Sequence, residues 1–211
     1  MELLVENYCK IIDNITILNN INYTFKGGNV YLILGKNASG KTMFLRALCG
    51  FIKATKGRVL LDGKELKKDF DFLPETGVMI ESPNFLKWYN GIDNLKLLAS
   101  IKGKINEQDI CEVLKMVGLD GKDKRKYSKY SLGMKQKLGI AQAIMENPNI
   151  ILLDEPTNAL DDDSVQAIKK IIRNLKQDGK IIIIATHDKE ELLSISDHVI
   201  YLKEGEIYED K

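Results

Sequence analysis

The segment Gly35-Lys36-Asn37-Ala38-Ser39-Gly40-Lys41-Thr42 constrains the fold of this chain more than any other. It fits G-x-x-x-x-G-K-[ST], a loop that functions only between a strand and a helix. Both neighbours are legible. Val30 to Leu34 is a short apolar run preceded by Gly27-Gly28 and ended by Gly35, as a buried parallel strand would be. Met43, Phe44, Leu45, Ala47 and Leu48 then give an apolar side to a helix that Gly50 closes. In such a loop the backbone N–H groups and the helix N-terminus converge on phosphate oxygens, and Gly40 lets the backbone come close. Lys41 adds a positive charge for the outer phosphates, and Thr42 offers a hydroxyl oxygen to Mg²⁺. The alternative, a chance glycine-rich turn, is disfavoured by these flanking elements.

Two further apolar runs, Ile150 to Leu153 and Ile181 to Ala185, flank a segment with Val165, Ile168, Ile171, Ile172 and Leu175 at helical spacing, ended by Gly179. Strand, crossover helix and strand predict an α/β core with a mostly parallel sheet. Val199 to Glu206 reads as a last hairpin turning near Gly205. Between these halves, about 84–147, helical patterns dominate. One helix over Asp93 to Ile101 is expected to turn Leu95, Leu98 and Ile101 inward and to end at Gly103. A second starts from Asn106 as N-cap, carries Ile110, Val113, Leu114 and Val117, and stops at Gly118. A third runs from near Ser131 to Asn147, where Pro148 forbids continuation. The expectation is one domain over 1–211 with a helical lobe inserted into the α/β core.

Composition narrows the class. Lys plus Arg number 31 against 30 Asp plus Glu, and hydrophobic residues are 44%, which excludes a disordered, collagen-like or fibrous chain. Cys9, Cys49 and Cys111 have no CxxC spacing and imply a reducing, cytosolic compartment. The apolar runs are shorter than the roughly 20 residues a membrane helix needs. The start, Met1 to Glu6, lacks the pattern of a secretory signal.

The chemistry gathers at strand ends. Asp154 closes the run Ile150 to Leu153, at the sheet edge where open α/β sheets bind ligands, and is the expected Mg²⁺ carboxylate. Glu155 follows and is assigned general base for a water attacking the terminal phosphate. A solvated acidic turn is the plainer alternative. His187 follows Ile181 to Thr186 at the same edge and is suited to positioning the terminal phosphate and that water, although a lone histidine is often structural. None of the four arginines sits in a motif suited to neutralise the developing charge. Ser131 and Gly133 lie at a helix start with exposed N–H groups, but on spacing alone Ser131 is simply a good cap.

In sequence order these segments resemble ATP-binding cassette (ABC) proteins, the ATPase subunits of ABC transporters, over essentially the whole chain. Gly35 to Thr42 resembles the Walker A motif and Ile150 to Glu155 the Walker B motif. Tyr130-Ser131-Leu132-Gly133-Met134 resembles the signature, Asn158-Ala159-Leu160-Asp161 the D-loop, and His187 the switch histidine. Gly57 to Gly63 resembles the family's antiparallel β segment. The resemblance implies ATP and Mg²⁺ as ligands, with Gly35, Asn37, Ala38, Ser39, Gly40, Lys41, Thr42 and Met43 contacting nucleotide. It implies a second cassette closing head to tail, so that Ser131 and Gly133 supply a helix N-terminus from the partner chain, and it counts Asp161 among the nucleotide contacts.

Departures from the family pattern carry information. Glu81 stands where the family usually has glutamine, as in the antibiotic and bacteriocin export or immunity subgroup, and is expected to approach Mg²⁺ in the closed state. Ile12 falls where a base-stacking aromatic is usual. Leu132, Met134 and Asn158 replace common signature and D-loop residues. Phe85, Trp88 and Tyr89 stand at the family's contact with a membrane subunit, with local packing as the alternative. The basic run Lys122, Lys124, Arg125, Lys126 and Lys129 reads first as a solvated loop. The resemblance implies an ATPase at the inner face of the cell membrane, driving a separate transmembrane subunit that exports a peptide or antibiotic, with no nucleic-acid partner. A soluble ABC ATPase of assembly or repair and a regulatory nucleotide clamp with little hydrolysis are the rival readings.

Overall fold

A computed structural model describes residues 1–208. The chain opens with β1 (Glu2–Ile12), β2 (Ile15–Lys26), β3 (Asn29–Leu34) and α1 (Lys41–Cys49), followed by β4 (Lys56–Leu61), β5 (Lys64–Glu65) and β6 (Thr76–Met79). The helical region holds α2 (Gly91–Lys102), α3 (Glu107–Met116), a 3-10 turn Tyr127–Lys129 and α4 (Leu132–Ile144). Then come β7 (Ile150–Asp154), α5 (Asp162–Gln177), β8 (Ile181–Thr186), α6 (Lys189–Leu193), β9 (His198–Lys203) and β10 (Glu206–Tyr208).

Two sheets result. The larger has the order β10-β9-β3-β8-β7-β6, parallel from β9 to β6, with only the β9–β10 hairpin antiparallel. The smaller, β2-β1-β4-β5, is antiparallel throughout. Its first hairpin turns at Asp13 and Asn14, both at positive φ (49° and 62°), the turn that matches strand twist and that short polar side chains tolerate.

β8 is apolar from Ile181 to Ala185 because both its faces are covered. Ile181, Ile183 and Ala185 face α1 and the small sheet, in a core with Phe25, Ile33, Phe44 and Leu48. Ile182 and Ile184 face the other way, packing with Leu32, Ile151, Leu153, Ile168 and Leu138. The register pairs Leu34 with Thr186 and Asp154 with Ala185, so β3, β7 and β8 deliver Gly35, Glu155 and His187 to one edge.

The helices follow the expected caps with local differences. Asn106 forms a capping box with Asp109, and Asn90 caps α2, whose start at Gly91 precedes the sequence expectation. Ile101 is 78% exposed, so it does not turn inward; the helix buries Gly91, Asn94, Leu95 and Ala99, and Leu98 is half-buried. α4 ends at Ile144 rather than Asn147, because Asn147 turns left-handed (φ 52°) before Pro148. α4 packs against β6 and β7, so it joins the lobe to the core.

The approach of α4 to β6 leaves no room at Gly77, where an added Cβ would lie 1.7 Å from the Ala143 carbonyl oxygen and 2.8 Å from Pro148 Cγ. Gly77→Ala is expected to cost about 1–3 kcal/mol by overpacking, read as a lower urea midpoint with unchanged slope. An unchanged midpoint would show that the two elements part without cost.

Candidate nucleotide site

The loop after β3 is shaped around its own backbone. Ala38 and Gly40 have positive φ (64° and 105°), and Gly40 is the N-cap of α1 without any side chain capping the helix. The first residues of α1 therefore line the cavity with no side chain capping their N–H groups. The hairpin beyond β9 braces this loop. Gly205 N–H donates to the Ser39 carbonyl (3.0 Å), while Asn19 N–H donates to the Gly205 carbonyl (2.8 Å). Lys41 is buried and folds back over the loop, donating from Nζ to the carbonyls of Gly35 (2.7 Å) and Lys36 (3.3 Å). The buried Ser39 hydroxyl has no hydrogen-bond partner among the described residues. A parked ammonium, an unpartnered hydroxyl and an uncapped helix start together suit a polyanion.

Across the edge, Thr42 Oγ1 donates to Asp154 Oδ2 at 2.7 Å. Burial pushes the Asp154 carboxyl above its ordinary range, while the Thr42 hydroxyl and the Glu81 N–H pull it back; nearby Glu155 raises it further and Lys41 lowers it. One hydroxyl and one carboxylate, with phosphate oxygens completing the shell, is the donor set that Mg²⁺ takes in nucleotide enzymes.

Glu155 adopts a left-handed backbone (φ 47°), which turns its side chain away from β7 and toward β8. Its Oε2 accepts from Thr186 Oγ1 (2.9 Å), and its Oε1 lies 2.9 Å from His187 Nδ1 and 3.8 Å from Lys41 Nζ. The Gln136 amide donates to the Glu155 carbonyl at 2.7 Å, a contact from α4 that no motif reading contained. Glu81, also left-handed at φ 62°, lines the site while its carboxylate pairs with Arg46 at 2.6 Å.

A cavity of about 810 Å³ joins these groups, lined by residues 37–43, Glu81, Asp154 and Glu155. Its lining extends to Ile15, Thr16, Ile17, Ser82, Gln136, Asn158, Glu204 and Gly205, none of them chosen from the sequence as site residues. Ile12 is not in the lining, and Tyr8 is buried at 2% exposure. The aliphatic Ile15 and Ile17 of β2 stand there instead, and among the described residues no aromatic ring lines the cavity. Gly35 and His187 line a smaller neighbouring recess with Lys36, Lys189 and Tyr201.

Ser131, Gly133 and Asp161 lie outside the cavity in the single chain. Ser131 and Asp161 cap α4 and α5, accepting from Met134 N–H (3.2 Å) and Ser164 N–H (2.9 Å). Gly133 passes close to the D-loop backbone, where a Cβ would meet the Ala159 carbonyl at 2.8 Å.

The raised Asp154 pKa has a stability consequence. An unfolded aspartate titrates near about 3.9. Between that value and the folded pKa the folded state binds more protons, so stability falls as pH rises through this window and the cost persists above it. Asp154→Asn keeps an acceptor for Thr42 and removes the buried charge. The nucleotide-free variant is expected to melt higher than the parent at pH 7, with the difference vanishing as pH falls toward 4. An equal melting temperature at pH 7 would refute the argument.

The comparisons with known proteins agree with this geometry. Residues 18–158 match the family model described as ABC transporter. The uncharacterized ABC transporter ATP-binding protein YybJ of Bacillus subtilis (strain 168) is 44% identical over 203 residues, covering 96% of this chain and 93% of the relative. The lantibiotic transport ATP-binding protein SrtF of Streptococcus pyogenes is 35% identical over 209 residues, covering 99% and 90%. A solved dimeric ATP-binding cassette in a post-hydrolysis state bound to ADP and Pi superposes with a TM-score of 0.87 at 27% identity, covering 99% of this chain and 97% of that one. The chain belongs to the ABC transporter family, as an ATP-binding subunit with the fold of its ATPase cassettes.

Proposed function

We propose that residues 1–211 form one cassette, with a helical lobe at about 84–147, that hydrolyses ATP to drive a separate membrane subunit exporting a peptide or antibiotic-like compound. The observation that carries the ATPase half is the placement of Glu155 between Thr186, His187 and Lys41. Similarity to a lantibiotic transport protein supports the export half. No helix among the described residues is long and apolar enough to cross a membrane, and the place of such a cassette is the inner membrane face, against its membrane subunit.

In this reading residues 35–43 wrap the triphosphate, with loop N–H groups and Lys41 on its oxygens. Thr42 and Asp154 would hold Mg²⁺, which when bound screens the phosphate charge. Thr186 and His187 aim the Glu155 carboxylate, and Glu155 takes the proton of the attacking water. Ser131 and Gly133 of a second cassette present the start of α4, whose N–H groups other than the capped Met134 N–H stabilise negative charge. Asp161, as cap of α5, positions the D-loop at that dimer contact. Glu81 reaches the metal side only after parting from Arg46, which couples closure to the loop before the helical lobe. A cavity of about 720 Å³ between that loop, Phe85, Leu86, Leu97 and Gly139 is the contact for the membrane subunit.

Glu155→Gln is expected to retain ATP, run as a dimer on gel filtration and release phosphate at least about 100-fold more slowly; normal turnover would remove Glu155 as base. Lys41→Ala is expected to lose nucleotide binding. Glu81→Gln frees Arg46 from its pair and is expected to change the steady-state ATPase rate. An unchanged rate would leave Glu81 an exposed loop acid.

A further inference from the structure

The helical lobe carries a surface that neither the nucleotide cavity nor the docking cavity uses. Trp88 is 76% exposed and Tyr89 48% exposed, although tryptophan is ordinarily among the more buried side chains. The docking cavity takes in Phe85 and Leu86 but not Trp88 or Tyr89, so the structure divides that aromatic group.

The segment 83–91 is fastened to 127–130. Tyr127 N–H donates to the Tyr89 carbonyl (2.8 Å), and Ser128 N–H donates to the Lys87 carbonyl (3.2 Å). Tyr127 Oη donates to the Pro83 carbonyl (2.5 Å), and Gly91 N–H donates to Tyr130 Oη (3.0 Å). These bonds set the exposed aromatics beside the basic run. Lys126 Nζ stands 5.8 Å from the centre of the Trp88 ring.

The charge there is one-sided. Residues 122–129 hold five basic side chains and one acid, Asp123, in a chain whose net charge is +1. Asp123 is taken by Arg125 at 2.7 Å. Lys87, Lys122, Lys124, Lys126 and Lys129 are all exposed and have no acidic partner among the described residues.

We propose that Trp88, Tyr89 and the adjoining lysines form a docking surface for anionic phospholipid headgroups. Exposed tryptophan and tyrosine beside unpaired lysines match the membrane–water interface in both polarity and charge. The lysines meet lipid phosphates while the indole enters the headgroup layer, holding the cassette against the bilayer independently of the membrane subunit. This goes beyond the transport reading and does not require it.

Trp88 is the single tryptophan of the chain, so its fluorescence reports on the surface directly. The full chain is mixed with vesicles of phosphatidylcholine alone or with phosphatidylglycerol, at low and high salt. The expected result is co-sedimentation with the anionic vesicles, a blue shift of Trp88 emission and loss of both at high salt. Lys122→Ala/Lys124→Ala/Lys126→Ala is expected to lower the partition coefficient roughly 100-fold, with basal ATPase unchanged as evidence of folding. Trp88→Phe is expected to weaken partition less than the lysine changes. No association at low salt, equal association with neutral vesicles, or unaltered Trp88 emission would overturn the proposal. So would a triple variant that keeps vesicle binding but loses binding to single-stranded DNA, which would assign the surface to nucleic acid.

Discussion

The burial of β3, β7 and β8 on both faces governs the rest of the molecule. Strands such as Ile181–Thr186 carry no exposed face, so charged groups are placed where the strands end. Parallel pairing then brings those ends to one edge. Lys41, Asp154, Glu155 and His187 come from widely separated parts of the sequence and meet without any long side chain having to reach across the sheet. The same burial makes Asp154 an expensive residue to ionise, and that expense is concentrated beside Thr42, where a metal would relieve it.

Much of this was legible because it is local. Gly35 to Thr42 declared its loop through spacing, and apolar runs followed by Asp154-Glu155 and His187 declared the strand ends. Helix caps such as Asn106 were readable for the same reason: the cap and its N–H groups lie within three residues. The inward assignment of Ile101 failed because helical periodicity gives a face but not how far the neighbouring element extends over it. The last turn of α2 leaves that residue mostly exposed.

The parts of the site that stayed hidden arise from long-range approach. Ile15 and Ile17 line the cavity through the hairpin of β1 and β2, and Glu204 and Gly205 through a turn near the other end of the chain. The pairing of Arg46 with Glu81 links α1 to the loop after β6, across 35 positions of sequence. Gln136 to the Glu155 carbonyl is of the same kind. No motif encodes such contacts, since each depends on how layers pack rather than on what is adjacent in sequence.

The clasp of Gly205 on Ser39 gives the phosphate loop a late dependence. During synthesis residues 35–42 leave the ribosome long before the turn that braces them, and β8 and β9, which flank β3, also follow later. A nascent chain stopped short of residue 205 thus holds every residue of the glycine-rich motif without the frame that fixes its shape. The brace of the nucleotide loop is in this sense completed only after the loop itself has been made.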